Sequence, residues 1–171
     1  MANVADPEVW LRGSLPNIQP FLQPVAHSLL QSRAEMRATM PDLSHGQIWH
    51  RPADVASIGY HVRHAIGSLD RLFTYARDEQ LSAEQLASLR VEGDVSAGPS
   101  SAQELELAFD GAVERALAQL LATNVATLLE ARRVGRQRLP STVIGLLFHA
   151  AEHTQRHIGQ LVTTSRVVRA M

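Results

Sequence analysis

Three of the chain's eight histidines, His149, His153 and His157, fall four residues apart in the stretch "FHAAEHTQRHIGQ". On a helix that advances ~100° per residue, a step of four overshoots a full turn by ~40°, so the three imidazoles drift across only ~80° of one face. His153 and His157 can therefore aim ring nitrogens at a single cation, and a third ligand has to arrive from another element. His64 is the candidate, because it sits within the apolar spacing of "HVRHAIGSLDRLF", where buried imidazoles cost stability unless bonded or metallated. Three imidazoles accept zinc, nickel, iron or copper and leave room for water or substrate. The chain has no cysteine, which excludes disulfides, thiolate zinc sites and a cysteine nucleophile.

Register sorts the neighbours. If the helices carrying His64 and the His153/His157 pair are antiparallel, with His64 level with the midpoint of that pair, His61 falls opposite Ile158 and His149 opposite Asp70. The two extra histidines diverge to opposite sides, each a candidate fourth ligand or supporting group. Gln160, ~20° from His153 around its helix, is a candidate to orient a ligand or water, and Arg71, ~20° from His64 and two turns along, to meet an anionic substrate. Glu152 lies off the histidine face and is not assigned as a base. His27, His45 and His50 read as structural. Arg132, Arg133, Arg136 and Arg138 read as a solvated loop, remote from the histidines.

Four long helices have to position these groups. The first spans about residues 18–40 and ends at Pro41, with Leu22, Val25, Ala26, Leu29 and Met36 at helical spacing. Before it, "DPEVWLRG" reads as one or two turns with Asp6 as cap, Pro7 at the first position and Gly13 at the end. The second runs from Val55 or Ser57 to Arg77, after a polar connection. A short helix in "SAEQLASLR" and the loop "VEGDVSAGPS" form a long crossover. The third opens at Ser101 with Glu104 completing a capping box and ends near Thr123; Asn124 caps a short turn. "RRVGRQRLP" then leads to the fourth, from about Ser141 to Val168. No alternating strand is expected. Short links within each hairpin and a long one between the second and third helices predict an all-α, up-down-down-up four-helix bundle, one domain over residues 1–171.

Composition narrows the function classes. The 171 residues are 45% hydrophobic, enough for one core without staples. A formal net charge of −1 gives no long-range pull toward nucleic acid. "MANVADPEVWLRG" lacks a signal-peptide pattern and no stretch approaches the roughly 20 apolar residues of a membrane span, so a cytoplasmic protein without membrane partners is expected.

"SIGYHVRHAIGSLDRL" together with "LPSTVIGLLFHAAEHTQRHIGQL" resembles the DinB/YfiT-like superfamily of metal-binding four-helix bundles. That family carries one histidine early in the second helix and His-x-x-x-His-x-Gly-Gln in the last; His64, His153, His157, Gly159 and Gln160 fit those places. Many relatives have Arg before the Gly, where this chain has Ile158. The resemblance implies a divalent ion, nickel or zinc first and iron or manganese next, held by His64, His153 and His157 with open coordination. It also implies a metal-dependent transferase using a small-molecule thiol cosubstrate, or a hydrolase, and a homodimer. The alternative is a non-catalytic, metal-stabilised bundle in stress response or partner binding.

Overall fold

The computed structural model describes residues 7–171, so the expected Asp6 cap lies outside the described residues. Serine and threonine caps set the starts of most helices. After a 3-10 turn at Val9–Arg12, closed by Gly13 at φ 93°, and another at Pro20–Leu22, helix α1 spans Gln23–Thr39. Helix α2 (His45–Trp49) follows a Ser44/Gln47 capping box. Helix α3 (Ile58–Ala76) starts at Ser57, whose hydroxyl accepts from the Tyr60 N–H. Helix α4 (Ala83–Arg90) has a Ser82/Gln85 box. Helix α5 (Ala102–Ala122) has a Ser101/Glu104 box, in which the Ser101 N–H and hydroxyl and the Ser100 N–H donate to the Glu104 carboxylate and lower its pKa to about 2.

The link before the last helix departs from expectation. It forms a hairpin of β1 (Ala131–Val134) and β2 (Leu139–Thr142), antiparallel, with Ala131 opposite Thr142 and Val134 opposite Leu139. The turn between them uses Gly135 at φ 66° and Arg138 at φ 51°. Its arginines obscure the strand pattern because a lone two-stranded ribbon leaves most side chains in solvent; only Arg132 and Val134 of β1 are half-buried. Helix α6 (Val143–Arg169) begins at the Thr142 cap. The protein is thus mostly helical with one small sheet, and none of its helices is long and apolar enough to cross a membrane among the described residues.

The long helices α1, α3, α5 and α6 pack in the cyclic order α1–α6–α3–α5 around a core that includes Leu22, Leu29, Met36, Leu69, Phe109, Leu120, Leu147 and Ile158, each no more than 1% exposed. Paired side chains give the directions. His61 meets His157 and His64 meets His153, so α3 and α6 are antiparallel. Ser32 donates to Gln155 while Ser28 donates to the Ala151 carbonyl, so α1 and α6 run parallel.

Trp49 packs over the first turn of α3. Its ring lies against Gly59, where a Cβ would come within 2.6 Å of the indole, and its Nε1 donates to the Ser100 carbonyl. Gly59→Ala is therefore expected to cost about 1–3 kcal/mol through overpacking, measured by denaturant unfolding.

Candidate metal centre

His153 and His157 of α6 meet α3 as the spacing requires. One ring nitrogen each from His64, His153 and His157 lies within 4.8 Å of the others, and all three residues are half-buried. His64 Nε2 is 3.0 Å from His153 Nε2. The ring centroids of His157 lie 4.5 Å from those of His64 and 4.6 Å from those of His153. Three such imidazoles could hold a metal ion.

Electrostatics keeps several of these rings neutral. Burial, then the neighbouring His64, His153 and His61, pushes the His157 pKa down to about 4. Burial and nearby His64 also lower His153 and His61. A neutral ring offers a lone pair, the form a cation needs. His153 Nδ1 is buried without a hydrogen-bond partner.

The same shift dictates acid behaviour. An unfolded histidine takes its proton near pH 6.5, whereas folded His157 waits until about pH 4. The unfolded state binds more protons between those values, so the stabilisation is complete above about pH 6.5 and is lost as pH falls toward 4. Thermal melts of metal-free protein should fall across this window, and less steeply in His157→Gln.

Of the two diverging histidines, His61 joins the cluster. It is 6% exposed, with Nδ1 3.0 Å from His157 Nδ1. His149 does not join: it is exposed, its Nδ1 is 3.4 Å from Glu152, and its ring centre is 5.4 Å from that of His153. Gln160 is exposed and its side chain makes no hydrogen bond among the described residues. Arg71 is buried, with Nη1 donating to Glu92 Oε1 at 2.8 Å.

Glu92 is the group the sequence did not reveal. It lies in the 91–100 loop, only 7% exposed, and Oε2 accepts from His64 Nδ1 at 2.7 Å. That bond places a proton on Nδ1 and leaves the Nε2 lone pair toward His153. Gly67 makes room: a Cβ there would sit 2.6 Å from both Arg71 Nη1 and Glu92 Oε1. Arg63 anchors the loop. Its guanidinium donates to the carbonyls of Asp94, Val95, Gly98 and Pro99 and lies 4.5 Å over the Trp49 ring. Tyr60 stacks on His64 at 5.5 Å and 11°. Sequence reasoning also missed Tyr60, its one signal being an aromatic one turn before His64; Glu92 had no periodic signal.

The model of the DinB superfamily matches residues 28–161, a span that contains α3, the crossover, α5 and every histidine of the cluster. The chain belongs to the DinB superfamily. No curated protein matches it. For this DinB-superfamily protein, the match covers the Glu92 loop, all of α3 and α6 as far as Leu161.

Proposed function

We propose that His64, His153 and His157 hold one divalent cation, zinc or nickel, and that the protein is a metal-dependent transferase or hydrolase acting on a small electrophilic substrate. The observation that carries this reading is the convergence of three ring nitrogens within 4.8 Å, with Glu92 fixing the outer nitrogen of His64. The donor set fits such an ion: imidazole suits zinc and nickel, and three protein ligands leave a position for water, thiol or substrate. The lone pair of His64 Nε2, backed by Glu92, and the neutral His153 and His157 rings match that requirement.

A bound cation would supply Lewis-acid polarisation of a substrate oxygen, or acidify a bound water or thiol. The chain's part is to hold and orient. Glu92 retains the Nδ1 proton of His64, Arg71 holds Glu92, and Tyr60 covers one face of the ring. With no cysteine in the chain, a thiol nucleophile comes as cosubstrate. The helix order and directions, with α5 set antiparallel to α1 by the Arg33–Glu114 and Arg37–Asp110 pairs, favour an up-down-down-up bundle as the frame.

A non-catalytic, metal-stabilised bundle is favoured by one observation: both oxygens of Glu92, the carboxylate hydrogen-bonded to the cluster, are already taken by His64 and Arg71. Turnover of a panel of electrophiles, with and without small thiols, by zinc- or nickel-loaded protein supports the enzyme. Stoichiometric metal without turnover, with a large fall in melting temperature on chelation, supports the structural reading.

Glu92→Gln is expected to weaken cation binding by about 10–100-fold, read by competition with a chromophoric chelator. The amide keeps the shape but loses the charge that stabilises the His64 Nδ1–H.

A further inference from the structure

A cavity of about 360 Å³ lies between α3, α4 and α5, lined by Glu92 and Arg71 and by none of the clustered histidines. Its size falls within the roughly 300–1,000 Å³ of small-molecule sites. Ile66, Val91 and Ala108 give it apolar walls.

Its polar groups are unevenly satisfied. Arg71 is 9% exposed and donates through Nη1 to Glu92, while its Nε and Nη2 have no acceptor among the described residues. A guanidinium carries five N–H donors in a planar fork, and the Nε and Nη2 groups of Arg71 keep solvent contact rather than being buried unpaired, so they are free to meet a ligand. Arg115 reaches the same cavity from α5 and makes no ion pair among the described residues. Of the acidic groups at the rim, Asp70 accepts from Gln85 Nε2, and Glu84 is exposed.

We propose that this cavity binds a small organic carboxylate. The carboxylate takes the unmatched donors of Arg71 and the charge of Arg115, and the apolar body lies against Ile66, Val91 and Ala108. A planar anion matches a guanidinium fork in a way a neutral ligand does not. The cavity shares Arg71 and Glu92 with the support of His64 but contains none of the proposed ligands, so its occupation does not require a bound cation.

Phenylacetate titrated into metal-free protein, followed by amide NMR shifts and calorimetry, tests this. Saturable binding with a Kd of order 1 mM is expected for a ligand of this size, with shifts centred on Gly67 and Gly98, which border the cavity. The neutral analogue 2-phenylethanol should bind at least about tenfold more weakly, as should phenylacetate to Arg115→Gln. Ala108→Phe, which fills the cavity from a partly exposed position, should abolish binding while the protein still melts cooperatively. No saturation by roughly 20 mM, equal binding of the alcohol, or unchanged binding to Ala108→Phe would overturn the proposal. Because the protein is metal-free throughout, failure here leaves the cation reading standing, and failure of the cation reading leaves this result unaffected.

Discussion

His153→Ala is expected to lower cation affinity by about 10³-fold or more, beyond the ~10–100-fold that loss of a supporting hydrogen bond costs. The metal-free fold should barely register the change. His153 is half-buried, its Nδ1 has no partner, and burial makes its protonation unfavourable. Alanine is also the better helix former. Unfolding free energy without metal should therefore move by no more than about 1 kcal/mol. Calorimetric zinc titration beside denaturant unfolding separates the two quantities. A variant equally impaired in both would mean that His153 serves packing.

Arg63→Met should do the reverse, with its main effect on stability. Four loop carbonyls depend on this one guanidinium, and Trp49 stacks under it. Freed carbonyls regain water as the loop loosens, so the net cost is of order 3 kcal/mol rather than the sum of four bonds. Arg63→Lys should recover little, because an ammonium cannot reproduce the fork. Cation affinity should fall as well, by less than in His153→Ala, since the same loop brings Glu92 to His64. Denaturant midpoints and the chelator competition read the two effects on the same samples.

Periodicity made the helices and the histidine convergence legible. The spacing of His153 and His157, with His64 amid core residues, foretold which rings would meet because helical geometry is regular over many turns. Register placed His61 and His149 on opposite sides of the cluster; packing then drew in His61 and left His149 in solvent. Caps at Ser57, Ser82, Ser101 and Thr142 set helix starts within a few residues.

What stayed hidden has no period. Glu92 reaches His64 through an irregular loop whose path is set by Arg63, a tertiary contact that no local pattern encodes. Arg71, expected to meet an anionic substrate, pairs instead with this same unforeseen carboxylate. The β1–β2 hairpin escaped because its exposed arginines and Pro140 mask the alternation that marks a half-buried strand.

The most direct test is anomalous diffraction at the zinc edge from crystals of untagged protein grown with zinc. A single strong peak bonded at about 2.0–2.1 Å to ring nitrogens of His64, His153 and His157, with His64 Nδ1 still held by Glu92, is the expected result. A peak elsewhere, or none at these three rings at saturating zinc, would contradict it.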